Sequence, residues 1–548
     1  MKTTRGFFSS IVSRLITRQL GFPPETCSYT VTDVRIPVLD GIEQFELAAD
    51  LFQPVLPKDE KPVGTILLRS PYGRGLAFAL FSAGPYAARG YQCLFVSCRG
   101  TFGSGGEFDP WRNEEEDGHA VVEWMRKQEW YTGSFATMGA SYLGFVQWAL
   151  LRNPPSDMVA AIIQTAPHDF SKQLWGTGSL SLEFITWGEN VAHQEKTGFF
   201  QTLKTLNTQQ RMRRVLNGIP LAESVKSHFQ GGAPWVDFVV DHPDISDPYY
   251  HNMKFGEALE RANIPILLIG GWSDLFVSQT VEQYTRLSER QTNVALLMGP
   301  WNHMRSGLAS KVHQQSLDWL EEHLAKRKGR TTKTHVQYFV TGAQEWRDVQ
   351  KWPPPTLAQE LYLRSGSHLT SEKPSADENS SKFTFDPKQP TPTIGGNLLL
   401  GGGSAKDTTL AARTDVLVFT TEVLEKALEI SGKVAVELSH SSDNPNVDLF
   451  VRISEVDAKG QSYSIADTYK RLDPAREGGP VILHLTDCAH RFRKGNCIRL
   501  IIAGASHPQY AINTGNGINA TSEELRSAIH TVFHGDKGSS RIVLPVVV

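Results

Sequence analysis

A chain of 548 residues, 40% apolar and 21% charged, is too long for one hydrophobic core, which stops growing at roughly 250–300 residues, so two to four domains are expected. A net charge of −3 argues against a nucleic-acid binder, which carries a basic excess, and no apolar run approaches the ~20 residues of a bilayer-spanning helix. The five cysteines, Cys27, Cys93, Cys98, Cys488 and Cys497, are odd in number and lack C-x-x-C spacing. That argues against a disulfide scaffold or a structural zinc site and fits a reducing, cytoplasmic setting.

Residues 1–24 hold Lys2, Arg5, Arg14 and Arg18 and no acid, while Phe7, Phe8, Ile11, Val12, Leu15 and Ile16 recur at helical spacing. Arginines inside the apolar stretch are wrong for a secretory signal. The favoured reading is an amphipathic helix packed on the protein's own surface. A mitochondrial transit segment or a membrane-surface helix stays open beside it.

From 25 to 167 strands and helices alternate. "GTILLRSPY" and "YQCLFVSCRG" read as buried strands, "EEEDGHAVVEWMRKQEW" as a helix with Glu114 to Asp117 at its N-terminus, and "FATMG" as the next strand. From 168 to 262 the strands stop. "TGFFQTLKTLNTQQRMRRVLNGIPLAESVKSHF" has helical spacing and predicts a cap inserted over the sheet's C-terminal edge. From 263 to 353, "IPILLIGGW" and "NVALLMGPW" are two more short apolar strands. Such strands imply a parallel sheet covered on both faces, an α/β core. Beyond "KWPPP", residues 354–548 carry β-rich runs such as "KVAVELSH", "VDLFVRISEV" and "CIRLIIAG", which predict an antiparallel sandwich or jelly roll. "GGNLLLGGGS" is a glycine-rich connection without the G-K-[ST] ending of a phosphate loop.

The stretch "FATMGASYLGFVQWALL", 135–151, joins a strand to a helix through Ser141. A nucleophile elbow reads G-x-S-x-G; here Gly139 fits, but position 143 is Leu and the glycine comes at Gly144. A catalytic serine in such a sheet needs an acid and then a histidine downstream, each just past a strand. Asp274 in "ILLIGGWSDLFV" and His303 in "ALLMGPWNHMRSG" meet that order. Alone, each of the three is commonly a turn, cap or surface residue; their ordered coincidence carries the argument. Oxyanion donors are expected from the backbone N–H of Tyr142 and from an early loop, where "LLRSPYGRG" places Tyr72. Without further support Tyr72 reads more simply as a ring packed beside a proline.

These motifs resemble those of the CocE/NonD family of serine hydrolases over most of the chain, from about residue 30 to the end. The family elbow G-x-S-Y-x-G matches Gly139, Ser141, Tyr142 and Gly144; "GWSDLFV" carries Asp274, "GPWNH" carries His303, and "RSPY" carries the oxyanion Tyr72. "TGAQEWRDVQKWPP", "GGNLLLGGG" and "FRKGNCIRLIIAGASHPQYAINTGNG" are further landmarks. The resemblance implies an α/β-hydrolase core, a helical cap, a C-terminal jelly roll and a pocket walled by aromatics, with Trp175 and Phe276 the best-placed counterparts. The family's D-V-R-G reads "SCRG" here, with Cys98 before Arg99, and Cys98 is expected to be a buried thiol.

The function expected is hydrolysis of a small-molecule carboxylic ester, or a related acyl bond, through an acyl-enzyme. Acyl transfer or lactone closure would use the same residues. A dipeptidyl aminopeptidase or amino-acid ester hydrolase ranks lower, because no carboxylate cluster for a free amine is identified from motif. A binding protein without activity ranks last. No cofactor or metal is expected, and a homodimer stays open.

Overall fold

The computed structural model describes residues 2–195, 208–327, 335–476, 480–517, 520–535 and 538–548. The N-terminal half is built on eleven strands: β1 (Lys2–Thr4), β2 (Ser28–Asp40), β3 (Glu43–Val55), β4 (Thr65–Ser70), β5 (Gln92–Ser97), β6 (Phe135–Ala140), β7 (Met158–Gln164), β8 (Ile266–Ser273), β9 (Val294–Asn302), β10 (Val336–Val340) and β11 (Glu345–Val349). They form one sheet in the order β1-β2-β3-β5-β4-β6-β7-β8-β9-β10-β11. Pairing is parallel from β5 through β10 and antiparallel at both edges.

The apolar runs explain the centre. Every residue of β4 and of β5 is buried, as in strands covered on both faces. Successive side chains go to opposite sides. Leu67 and Leu94 join the core beneath the cap, while Ile66, Leu68, Cys93 and Phe95 join the core on the other face. The front edge departs from strand–helix alternation. β2 and β3 are a long antiparallel hairpin turned at Gly41 and Ile42, and Gly41 takes φ 60°. A two-residue turn of this kind is readable from a glycine beside alternating residues, but the acidic, interrupted "IEQFE" hides the alternation.

The helices are α1 (Phe7–Gln19), α2 (Leu76–Phe81), α3 (Ala83–Ala87), α4 (Glu114–Arg126), α5 (Tyr142–Leu151), α6 (Phe170–Trp175) and α7 (Glu183–His193), with further helices later in the chain. Between β7 and β8 the described chain is helical or looped: α6 and α7 are followed by helices at Thr208–Leu216, Leu221–Phe229, Pro234–Asp241 and Gly256–Arg261. The first part of the helical run expected from "TGFFQTLKTLN" lies outside the described residues. Cap residues such as Leu174, Trp235 and Val236 share a continuous core with α5 and the sheet.

From Thr356 onward a second sheet forms. Its pairings are antiparallel, apart from one parallel contact between His368 and Thr420. Its own core gathers Leu363, Val436, Leu449, Val451 and Leu500.

Candidate active site

β6 ends at Ala140 and α5 begins at Tyr142, so Ser141 alone makes the turn, at φ 59° and ψ −124°. A non-glycine residue held there costs about 1–3 kcal/mol and persists only where its surroundings enforce it. The enforcement is visible. The Ser141 N–H donates to the Gln164 carbonyl at 3.0 Å, and the Ser141 carbonyl accepts from the N–H groups of Gly144 and Phe145 at 2.9 and 3.0 Å. The glycines supply room. A Cβ on Gly139 would meet Leu143 Cβ at 2.3 Å, and one on Gly144 would meet Ala166 Cβ at 2.3 Å. Gly144 is therefore the position where α5 passes the chain leaving β7, while Leu143 is buried.

Asp274 follows β8 and His303 follows β9. Asp274 is fully buried. One carboxylate oxygen accepts from the Phe276 N–H at 2.7 Å, and the other lies 2.7 Å from His303 Nδ1. A carboxylate only accepts, so Nδ1 carries the hydrogen and the neutral ring keeps its lone pair at Nε2.

A loop of the C-terminal β domain reaches both residues. Gly396 and Gly403 exchange N–H···O bonds of 3.0 and 2.9 Å and close it. Asn397 Nδ2 donates to the carbonyls of Trp272 and Asp274 at 3.1 and 2.9 Å. The Gly402 carbonyl accepts from Asn302 Nδ2 at 2.7 Å, and Asn302 Oδ1 caps the turn of His303 by accepting from the Arg305 N–H at 3.0 Å.

Tyr72 stands two residues past β4. Trp187 Nε1 donates to its phenol oxygen at 3.1 Å, which leaves the phenol hydrogen free to point elsewhere, and Ser141 shares the cavity lining with it. Burial pushes the Tyr72 pKa up to about 12, against the Trp187 hydrogen bond that lowers it. The group is therefore a neutral donor at ordinary pH. Tyr142 is anchored through its side chain: its hydroxyl donates to Glu114 at 2.7 Å and accepts from the Trp111 N–H at 2.8 Å. Glu114 in turn pairs with buried Arg69 at 2.6 Å. Cys98 lies against Glu114, and burial together with that carboxylate pushes its thiol well up, so it is no nucleophile at neutral pH.

Tyr72, Ser141, Tyr142 and Phe276 line one cavity. Trp111, Phe170, Phe184 and Trp187 complete an aromatic wall, with Trp111 and Phe170 stacked at 3.9 Å. Phe276 stands edge-on to the His303 ring at 5.6 Å. Trp175 is not in this wall, contrary to the expectation for it. Its Nε1 donates to the Val239 carbonyl at 2.9 Å, and it faces a separate cavity beside Leu216 and Arg471. Five residues separate it from Phe170, which turns it roughly 140° around α6 at ~100° per residue; Phe170 takes the wall position instead. Among the described residues no group of three or more His, Cys, Asp or Glu side chains is arranged to hold a metal.

Residues 40–305 match the X-Pro dipeptidyl-peptidase (S15) family, and residues 328–543 match the X-Pro dipeptidyl-peptidase C-terminal non-catalytic domain. The chain is 27% identical over 581 aligned residues to the cocaine esterase of Rhodococcus sp. (strain MB1 Bresler), covering 95% of this chain and 99% of that one. It belongs to the CocE/NonD family of serine hydrolases. Two solved structures share the fold of this CocE/NonD chain. One is an aminopeptidase from the marine sediment archaeon Thaumarchaeota archaeon, at 20% identity and TM-score 0.81, covering 96% of this chain and 98% of that one. The other is an α-amino acid ester hydrolase, at 18% identity and TM-score 0.79, with the same coverage of 96% and 98%.

Three residues of this CocE/NonD site escape sequence reasoning. Trp187 and Glu183 sit four apart on α7, a spacing that puts both on one helical face and was a usable signal. Glu183 brings the one acidic side chain to the described cavity lining. Its carboxylate accepts from the Leu399 N–H, and burial, with Asp274 nearby, raises its pKa to about 8. Asn397 lies in "GGNLLLGGG", where the glycines were visible but the partner loops were not.

Proposed function

We propose that the chain hydrolyses carboxylic esters of small molecules through an acyl-enzyme on Ser141. The observation that carries this reading is the 2.7 Å Asp274–His303 contact beside a strained serine whose cavity also holds Tyr72. In this reading His303 Nε2 takes the Ser141 proton as the hydroxyl attacks the ester carbonyl. The negative charge forming on the carbonyl oxygen is met by the Tyr142 N–H and the Tyr72 hydroxyl. The N–H belongs to the first turn of α5, where helix N–H groups lack intrahelical partners and the dipole favours an anion. His303 returns the proton to the departing alcohol. Water, activated by His303 in the same way, then frees the acid.

The test is labelling by a fluorophosphonate together with turnover of p-nitrophenyl esters. Both should vanish in Ser141→Ala. A wild-type protein that neither labels nor turns over any ester in a chain-length series would refute the reading. Acyl transfer to an alcohol or amine uses the same groups and would appear as a new ester or amide product when acceptors are added.

Glu183 favours a second reading, an acyl group bearing an amine. An ionised carboxylate among aromatic rings can pair with a buried ammonium. Equal kcat/KM on free-amine and N-blocked esters, unaffected by Glu183→Gln, would dismiss it. We place the protein in the cytoplasm, supported by five free cysteines. Among the described residues no helix is long and apolar enough to cross a membrane.

A further inference from the structure

α1 turns three of its apolar side chains away from the protein. Its buried side presents Ser13 and Thr17, 0% and 2% exposed, while Ile11, Val12 and Leu15 point outward at 41%, 48% and 61% exposure. At ~100° per residue the three apolar side chains fall within one arc of about 100°, opposite Ser13 and Thr17. Polar links hold the helix down. Buried Glu25 accepts from Arg5 at 2.9 and 3.0 Å, from Arg14 Nε at 3.1 Å and from the Ser13 hydroxyl at 3.4 Å. A helix that only covers a core turns its apolar stripe inward; here Ile16 packs on the core below while Ile11, Val12 and Leu15 turn away from it.

The surroundings say what the stripe meets. Lys2, Arg14 and Arg18 are exposed, and α1 contains no acid. α2 packs beside α1 and adds Phe78 and Phe81, each 43% exposed. An apolar strip edged by cations matches a lipid surface, where acyl chains take the strip and anionic headgroups take the cations. A second copy of the same face would set cation against cation across a two-fold axis.

We infer that α1 and α2 form a docking face for membranes bearing anionic lipid. Ile11, Val12, Leu15, Phe78 and Phe81 enter the interface, and Lys2 and Arg18 meet the headgroups. Docking stands apart from the hydrolase reading. Only its consequence for substrate rests on that reading: Phe78 stacks on Tyr72 at 6.2 Å, so the docked face adjoins the reaction site and suits lipophilic esters drawn from the bilayer.

Flotation of the full chain with vesicles tests it. Binding to phosphatidylcholine vesicles containing phosphatidylserine should exceed binding to phosphatidylcholine alone by about tenfold and weaken with salt. The double variant Ile11→Asp/Leu15→Asp should stay unbound, and Lys2→Gln/Arg18→Gln should bind severalfold less. These side chains are exposed, so melting temperatures should hold; Phe81→Ser is a second probe on another helix. Wild-type protein that ignores anionic vesicles overturns the proposal. So does binding that survives all three changes, or a concentration-dependent dimer, seen by ultracentrifugation, that Leu15→Asp abolishes. Fluorophosphonate labelling, read in parallel, reports on Ser141 without bearing on flotation.

Discussion

Tyr72 and Glu183 share a cavity and differ in what burial does to them. Burial keeps Tyr72 protonated, with a pKa of about 12, so its hydroxyl serves as donor across the working range. Tyr72→Phe removes one oxyanion donor, and such losses cost about 10²–10³ in kcat. The expected signature is a fall in kcat with KM little changed, measured on one ester series. Glu183 is raised from 4.5 to about 8. Between those values the folded protein holds a proton that the unfolded chain has released, so its contribution to stability falls as pH rises through the window and is constant below it. Glu183→Gln cannot ionise. The melting temperature of the variant relative to wild type should therefore climb with pH across the window; a difference that shrinks would mean the native fold favours the carboxylate. The strand-end places of Ser141, Asp274 and His303 were legible from their turns, whereas Tyr72 stood out only through the family resemblance. Glu183 was not legible: its chemistry comes from the burial that distant loops impose.

At the scale of elements, the turn from β6 into α5 depends on Gly144. A methyl group there would start 2.3 Å from Ala166 Cβ, and overpacking of this kind costs about 1–3 kcal/mol. Gly144→Ala should lose that much in urea unfolding and label more slowly, and unchanged values in both would show that α5 can step back freely. The loop 395–403 is the second dependent element. Asn397→Asp keeps the shape, loses both N–H donations and sets an anion against two carbonyl oxygens. The expected outcome is a kcat at least tenfold lower at near-constant KM, with Asn302→Ala milder. Strands such as β4 and β8 announced themselves as unbroken apolar runs. The β2–β3 hairpin did not, because near its turn buried Ile36, Val38 and Leu47 alternate with exposed positions that include the apolar Leu39 and Ile42, so the inward face does not stand out by polarity. Trp175 misled for a related reason: a short helix fixes direction only once its neighbours are known, and α6 aims Phe170 at the cavity instead.

Across the whole molecule the α/β part and the β-rich part could be told apart from the composition shift along the chain, since each has a core of its own, whereas the cap packs into the core of the sheet. Contacts between units were not legible. Asn397 and Asp274 are 123 residues apart, and no local pattern connects them. Their contact has a thermal consequence. The backbone carrying Asp274 and the asparagine preceding His303 are both tied to a loop whose own footing is the β domain. If the β domain loosens first on heating, those ties fail while the α/β sheet is still intact. Enzymatic inactivation would then follow the melting of the β domain, detectable as amide exchange in Asp448–Val456 that rises with activity loss and ahead of exchange in β4. Turnover in this protein is in that sense a thermometer for a domain that supplies none of the proposed reacting atoms.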